Sequence, residues 1–178
     1  MLWKLAGVQL AHSYRLPTSG ECGGTMTHRY DMQNGAEGML FMLAAQASGS
    51  DILAGIGSCY NAVGMSAEMM VMQTEWLRAA EHVTRGMSFA AFGEATAGLL
   101  EAGPGGNYLM DDLTLGNLRT GEFFAEGLLD YSGYVEEGTP LLAKAHERAE
   151  ELVAGYEDGV GGDVREGLER WFGRRLSG

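Results

Sequence analysis

Two carboxylates and a carboxamide, Asp31, Gln33 and Glu37, open an apolar run of helical period over about residues 31–48. An aspartate at such a start commonly caps the helix, because its carboxylate accepts a hydrogen bond from a free backbone N–H. Glu37 lies one and a half turns further on, where a buried carboxylate needs a backbone or arginine partner. The amide of Gln33 is the best candidate for a contact with a ligand. For each residue a structural role and a binding role stay open.

The elements around this helix predict an α/β fold with a parallel sheet, because strands and helices alternate along the chain. The apolar run 52–58 has the length of a strand that is buried on both faces. Thr139 and Pro140 predict the cap and the first residue of a late helix. Helices are expected over 2–14, 31–48, 66–84, 88–101, 139–157 and 163–172, strands over 15–22 and 52–58, and a third strand or a loop over 103–109.

Length, charge and hydropathy bound the class of protein. The 178 residues suffice for one domain, and a net charge of −12 argues against a nucleic acid as partner. Every apolar stretch is shorter than the ~18 residues of a membrane helix. The first 17 residues fit an amphipathic helix better than a signal peptide. We therefore expect a cytoplasmic protein with no membrane span, although an acidic surface also suits a cationic ligand.

The cysteines and the loop histidine carry weak signals. Neither Cys22 nor Cys59 has the spacing of a zinc site, so no metal is expected, and free thiols are favoured over one disulfide. Cys22 is expected to be a small core residue. His28 follows a glycine pair and is either an acid or base or a surface histidine.

Four methionines are crowded at the start of one predicted helix. Methionine fills irregular cores and also forms adaptable contact surfaces. Core filling is the favoured interpretation, and a contact surface is the alternative. The four are Met65, Met69, Met70 and Met72.

Several short motifs follow one another in a fixed order along nearly the whole chain. The segments are AGVQLAHSYRLPTSGECGG, SGSDILAGIGS, SAEMMVMQTEWL and GGNYLMDDLTLGNLR. Two helical patterns, D-x-Q-x-x-x-E and S-x-E-x-x-V-x-x-x-E, comprise Asp31, Gln33 and Glu37, and Ser66, Glu68, Val71 and Glu75. Together these segments resemble the C-terminal part of the trimethylamine methyltransferase family.

The resemblance implies a fold and a reaction. Members of the family are (β/α)8 barrels that demethylate tertiary or quaternary amines and pass the methyl group to a corrinoid protein. Residues 1–178 would form one domain, the C-terminal half of such a barrel, with C-terminal helices from about residue 139. The nucleophile would be cobalt(I) of a corrinoid that the partner protein carries, so this chain would bind no cofactor itself. No residue of the chain is assigned a catalytic role.

A methylammonium pocket needs carboxylates or aromatic faces to attract the cation. In a (β/α)8 barrel the loops after the strands form the active face, and here they contain carboxylates, amides and aromatic rings. Asp111 and Asp112 lie in the last of these loops. The predicted substrate-binding residues are Glu21, Asp31, Gln33, Glu37, Tyr60, Asn61, Asn107, Tyr108 and Thr114.

The chain departs from the family pattern at several places. Leu113 stands where the family commonly has histidine before Thr-Leu, and Met72 and Gln73 stand where aspartate often precedes the helix glutamate. These departures leave the substrate open. Only about three strands are predicted, against eight in a closed barrel.

The missing N-terminal half allows two explanations. In the first, the chain is encoded downstream of an in-frame amber codon that specifies pyrrolysine. In the second, it is encoded by part of the gene of a family member that lacks pyrrolysine.

Three functions remain open. The first is methyl transfer from an amine of the trimethylamine or glycine betaine type to a corrinoid protein, by this chain or by a longer one. The second is a non-catalytic half-barrel that pairs with another copy or another chain, because exposed sheet edges favour association. A homo-oligomer is expected on the same ground. The third is another small-molecule activity of a β/α domain.

Overall fold

A computed structural model describes residues 2–124, 127–130, 138–157 and 159–176. The described parts contain short strands between longer helices. The strands are β1 (Ser19–Glu21), β2 (Ile52–Ala54), β3 (Ser58–Cys59) and β4 (Gly64–Met65). The helices are α1 (Leu2–Ser13), α2 (Met32–Ala47), α3 (Ala67–Arg85), α4 (Phe92–Ala102), α5 (Asp112–Asn117), α6 (Leu141–Ala154) and α7 (Gly162–Leu176).

Strands β1 and β2 form a parallel pair that α2 connects. Ser19 lies opposite Ile52, and Glu21 lies opposite Ala54. The parallel pairing expected from the order of strands and helices is thus present for this pair. Parallel strands end at the same edge of a sheet, so the segments that follow β1 and β2 leave the sheet side by side. That these strands form half of a barrel stays a prediction.

The second strand is shorter than the sequence predicted. It ends at Ala54, because Gly55 and Gly57 adopt φ angles of +84° and +89° that turn the chain away from the sheet. Burial on both faces is also wrong, since the Ile52 side chain is 61% exposed. The rest of the predicted strand leads into an antiparallel hairpin of β3 and β4.

The core lies mainly between α2 and α3, with α6 packed on the outer side of α3. Its buried residues are Cys22, Met42, Ala45, Met69, Met72, Trp76, Ala80 and Ala145. A Cβ at Gly38 would overlap the Trp76 ring, so the glycine lets α2 approach α3 closely. The four clustered methionines divide between the two interpretations. Met69 and Met72 fill the core, whereas Met65 and Met70 are exposed.

The helix α6 begins differently from the prediction. Pro140, with φ −53° and ψ +141°, is the N-cap, and no side chain caps the helix. The predicted cap at Thr139 is therefore wrong, because the extended backbone of Pro140 delays the first helical residue to Leu141. The apolar stripe still packs against α3 through Ala145 and Ala149, which are both buried.

The segment with α4 and α5 is the most exposed part of the described fold up to residue 124. Neither helix contains a buried residue. The helix expected from residue 88 begins at Phe92, and residues 103–109 form a loop and not a strand. The sequence did not predict α5.

Among the described residues, no helix is long and apolar enough to cross a membrane.

Candidate functional site

The candidate site lies where the parallel strands end. Residues 22–30 leave β1, the first two turns of α2 cover residues 31–37, and the turn 60–62 lies in the hairpin after β2. We call these three segments the loop cluster. The carboxyl edge of a parallel sheet is the usual position of a site in α/β folds.

A buried amide holds the loop after β2, and the loop after β1 packs closely on that loop. Gln73 on α3 is fully buried. Its Oε1 accepts the Gly57 N–H at 2.7 Å, and its Nε2 donates to the Ser58 carbonyl at 3.0 Å. The Gly23 backbone packs so closely on Gly55 that a Cβ there would overlap the Gly55 carbonyl. The sequence marked Gln73 only as a departure from a family pattern, although it is a central support of the loops.

A second buried amide fastens the loop after β1 to α2, and backbone bonds join the same loop to the turn 60–62. Asn34 Nδ2 donates to Thr25 Oγ1 at 3.0 Å, and both residues are buried. The Thr25 carbonyl in turn accepts the Asn61 N–H at 2.8 Å, and the Thr27 carbonyl accepts the Tyr60 N–H at 3.2 Å. Sequence analysis missed Asn34, although a polar residue one turn inside an otherwise apolar helix is a usable signal.

The three polar residues that open α2 are bonded mainly to the protein itself. Asp31 Oδ1 accepts the Asn34 N–H at 3.1 Å and caps the helix. Gln33 Nε2 donates to Glu37 Oε1 at 2.7 Å, and the Met26 N–H donates to Glu37 Oε2 at 2.8 Å. These bonds lower the pKa of Glu37, the Gln33 bond most of all. The capping role of Asp31 is confirmed, and half-buried Glu37 carries a negative charge in the loop cluster.

An aromatic pair projects from the loop cluster. Tyr60 is 50% exposed, and the His28 ring meets its ring edge-on, with centroids 5.3 Å apart. Tyr60, Asn61 and Ala62 have φ angles of +52°, +50° and +63°. Left-handed conformations of non-glycine residues are costly and occur where surrounding bonds enforce them. Here the backbone bonds from Asn61 and Tyr60 to the Thr25 and Thr27 carbonyls enforce this conformation. They fix the backbone from which the Tyr60 ring projects.

Glu21 ends β1 beside the loop cluster. Lys4 Nζ on α1 donates to the Glu21 carbonyl at 2.6 Å and lies 3.4 Å from Glu21 Oε2. A Cβ on Gly55 would come within 3.0 Å of Glu21 Cγ, so the side chain lies over the second strand end. The lysine offsets much of the charge of this carboxylate.

Three predicted binding residues lie on a separate segment, with α4 and α5. Within the described part of the chain, their hydrogen bonds are local. Asn107 Oδ1 accepts the Leu109 N–H at 3.0 Å, and the Thr114 carbonyl accepts the Leu118 N–H at 3.1 Å. Tyr108 lies between them along the chain and is exposed. The structure therefore groups Glu21, Asp31, Gln33, Glu37, Tyr60 and Asn61, and it leaves Asn107, Tyr108 and Thr114 apart.

Cys22 is buried and unsuited to act on a ligand as a thiolate. Both cysteines are free thiols, and burial raises the pKa of Cys22, whose Sγ donates to the Ala54 carbonyl at 3.3 Å. The expectation that Cys22 is a small core residue is confirmed. Among the described residues, no three His, Cys, Asp or Glu side chains are grouped as metal ligands.

The glutamates of the second helical pattern, both on α3, have different surroundings. Buried Glu75 meets Arg78 Nη1 at 2.9 Å through Oε1. Within the described part of the chain its Oε2 has no hydrogen-bond partner, and Gly127 packs directly against it. Glu68 instead accepts a hydrogen bond from Ser66 Oγ at 2.7 Å at the start of α3.

The profile of the trimethylamine methyltransferase family matches residues 1–177. The chain belongs to this family. The resemblance seen in its motifs is thereby confirmed. The glycine betaine methyltransferase of Desulfitobacterium hafniense (strain Y51) is 30% identical over 155 residues, which are 85% of this chain and 32% of that relative. This member of the trimethylamine methyltransferase family thus spans about a third of the length of the curated relative that it matches.

Proposed function

We propose that this chain contributes to the cytoplasmic demethylation of a tertiary or quaternary methylamine, with the methyl group passed to a corrinoid on a partner protein. The observation that supports the proposal most is the family match over residues 1–177. The loop cluster agrees with it, since a carboxylate and an exposed aromatic ring lie together at the carboxyl edge of β1 and β2.

The proposed ligand is a methylammonium group, which carries a positive charge spread over its methyl groups. A quaternary ammonium has no N–H to donate, so a protein recognises it by charge and by aromatic faces. In the loop cluster Glu37 supplies the negative charge, and Tyr60 supplies the aromatic face. Gln33 orients the carboxylate, because its amide donates to Glu37 Oε1.

Methyl transfer requires little acid or base chemistry from this chain. The C–N bond breaks with its electron pair left on nitrogen, so no proton has to be removed from a quaternary substrate. The corrinoid of the partner supplies the nucleophile, cobalt(I). The chain would bind and orient the amine, and the fixed turn 60–62 would keep the aromatic ring in position.

Amine binding tests the proposed site directly. Replacing Tyr60 with leucine should weaken binding of tetramethylammonium about 3- to 30-fold, the range of a partly desolvated cation–π contact. Tyr60→Phe should retain most of the affinity, because the ring face remains. Tyr156→Leu, at an exposed position after α6, is the control and should bind like the wild type. Affinities are measured by calorimetry on the whole chain.

Transfer itself is assayed with trimethylamine and glycine betaine as donors and free cob(I)alamin as acceptor. Faster methylation with the chain present than absent supports the proposal, and the preferred donor identifies the substrate. If the chain neither binds nor demethylates any of these amines, alone or with an added N-terminal half of the barrel, the proposal is wrong.

A non-catalytic half-barrel that assembles with another chain is the second candidate. Large apolar side chains at the N-terminus and at β2 favour it, since Trp3 is 89% exposed and Ile52 is 61% exposed. Among the described strands, β1 and β2 pair only with each other, and free edges favour association. Sedimentation analysis separates the alternatives. A stable homo-oligomer without amine binding favours the second candidate, and a monomer that binds amines excludes it.

A further inference from the structure

Four side chains from three distant parts of the sequence form a continuous hydrogen-bonded chain. Tyr30 Oη, in the loop after β1, donates to Ser66 Oγ at 2.6 Å. Ser66 Oγ donates to Glu68 Oε2 at 2.7 Å, and Glu68 Oε1 lies 2.9 Å from His146 Nδ1 on α6. The chain therefore connects α6 with the loop cluster through the start of α3. The first and last bonds span 36 and 78 residues of sequence.

The directions of these bonds are fixed by the number of protons. A serine hydroxyl has one proton and two acceptor lone pairs. Ser66 Oγ donates its proton to the Glu68 carboxylate, so it can only accept hydrogen bonds from Tyr30 Oη and from the Met69 N–H. The Met69 N–H lies at 3.2 Å, and its bond to Ser66 Oγ caps helix α3. Tyr30 must therefore be the donor. A change at Glu68 that frees the serine proton would remove this constraint on the Tyr30 hydroxyl.

The network also reaches the backbone after β2. The Ser66 N–H donates to the Gly57 carbonyl at 3.1 Å, and Gln73 holds the Gly57 N–H. Ser66 thus contacts both strand-end loops, one through its hydroxyl and one through its N–H. Residues 22–30 contain neither a helix nor a strand, so their conformation depends on bonds of this kind.

We propose that Tyr30, Ser66, Glu68 and His146 form a positioning network through which helix α6 holds the loop 22–30 in its binding conformation. The part that concerns amine binding rests on the proposed function, whereas the effect on the loop does not. None of the four is proposed to touch the amine. They act through the loop that carries Met26 and Thr27, whose backbones contact Glu37 and Tyr60.

The charges at the α6 end make the network sensitive to pH. Hydrogen bonds from Ser66 and His146 lower the pKa of Glu68 to about 2. The Glu68 bond raises the pKa of His146 above its ordinary 6.5, and Glu150 and Glu147 on α6 itself act in the same direction. Among the described residues, the charged groups that raise the pKa of His146 are Glu68 on α3 and Glu147 and Glu150 on α6.

The sign of the pH effect follows from these shifts. A histidine with a raised pKa stabilises the folded form fully below pH 6.5 and loses that effect as the pH rises through its folded value. A glutamate with a lowered pKa stabilises above pH 4.5 and loses that effect as the pH falls towards about 2. The network should be strongest from about pH 4.5 to pH 6.5, and it should weaken as the pH rises from 6.5 through the folded pKa of His146.

Exchange of the loop amides measures the effect of the network on the loop. In the wild type, exchange of residues 25–30 should become faster as the pH rises from 6.5 through the pKa of His146, after correction for the intrinsic rate. Tyr30→Phe and Glu68→Gln should each raise exchange about 3- to 10-fold at pH 6, the equivalent of one hydrogen bond. Both variants should also lose the extra pH dependence. Glu147→Gln on α6 is the matched control and should leave exchange at pH 6 unchanged.

The measurement separates loop positioning from loss of the fold. Amides of α2 and α3 around Met42 and Trp76 should keep their protection in every variant, because these residues lie in the core. If loop exchange in Tyr30→Phe and Glu68→Gln equals that of the wild type, the proposal is wrong. The titration of His146, followed by NMR, should shift to lower pH in Glu68→Gln.

Affinity for tetramethylammonium then tests whether the loop matters for the site. In a wild type that binds this amine, the two variants should bind it more weakly below pH 6.5. Looser loops with unchanged affinity would refute positioning of the site. A wild type that binds no amine would refute the proposed function, and loop exchange would still decide whether the network holds the loop.

Discussion

Residues 17–85 and residues 86–124 use polar side chains in different ways. In the first region hydrogen bonds join residues far apart in sequence, as between the Thr18 N–H and Asp51 Oδ2 at 2.7 Å across 33 positions. In the second region the loop and helix side chains bond to near neighbours, as Asp111 Oδ1 does to the Leu113 N–H at 2.9 Å. The exception there is Glu122, which meets Arg85 at 3.3 Å.

Burial explains the difference. Helices α2 and α3 bury apolar faces against each other, and water is excluded from the polar groups between them. Such groups need partners within the protein, so Gln73 bonds to the backbone of the loop after β2 and Asn34 bonds to the Thr25 hydroxyl in the loop after β1. Helices α4 and α5 bury no residue, so their polar side chains remain accessible to water. Buried Gln73 and Asn34 therefore depend on partners within the protein, whereas an exposed polar group can bond to water instead.

The largest predicted difference between the two regions concerns glycine. Gly23→Ala should lower the free energy of unfolding by about 3 kcal/mol or more, because the added Cβ overlaps the Gly55 carbonyl and cannot be accommodated by a rotamer change. Gly93→Ala in α4 has no atom within 4 Å of the added Cβ and should stabilise by about 0.5 kcal/mol. Urea unfolding of both variants checks the comparison. Equal effects at the two sites would contradict the close approach of the strand-end loops.

The next effect concerns the buried amide of α3. Gln73→Met keeps the side-chain volume and removes two hydrogen bonds, which leaves the Gly57 N–H and the Ser58 carbonyl without partners. We expect a loss of about 2 to 4 kcal/mol in the free energy of unfolding, the cost of two buried polar groups left unsatisfied. Asn107→Ala, at an exposed position in the second region, should change it by less than about 0.5 kcal/mol. Chemical denaturation distinguishes the two, and a small effect at Gln73 would show that water replaces the amide.

The smallest of the three effects concerns helix capping. Asp31→Ala should lower the free energy of unfolding by about 1 kcal/mol, because the carboxylate caps the 16-residue helix α2 that packs in the core. Asp111 caps the six-residue helix α5, which buries nothing, so Asp111→Ala should have less than half of that effect. Thermal unfolding by circular dichroism measures both. A larger effect at Asp111 would show that α5 contributes more to global stability than its exposure indicates.

The sequence predicted the long helices well and the strands poorly. Helices α2 and α3 were expected over 31–48 and 66–84, within a residue or so of their bounds Met32–Ala47 and Ala67–Arg85. Their apolar period, caps and terminal glycines are all local signals. The described strands have only two or three residues, which is too short for a period to be seen. The glycines that end β2 lie inside an apolar run, and the length of that run by itself predicts a longer strand.

The candidate site was predicted only in part. The residues of α2 were found because a polar group at the start of an apolar helix stands out. Tyr30, Asn34 and Gln73 were missed as parts of the site, because each gains its role from a partner 9 to 36 positions away. Asn107 and Tyr108 were predicted to lie in a loop after a strand, whereas in the structure their loop follows helix α4.

The sequence by itself determined the family, through motifs whose order and spacing cover nearly the whole chain, and it determined the long helices α2 and α3 and the cap at Asp31. These features depend on residues within about four positions of one another, where helix geometry fixes the contacts. Only the tertiary structure decided which polar groups meet. The bond from Tyr30 to Ser66 and the pairing of Glu68 with His146 exist because α2, α3 and α6 pack together. Packing is a property of whole helix faces, and no local pattern states which side chains it brings within hydrogen-bond distance.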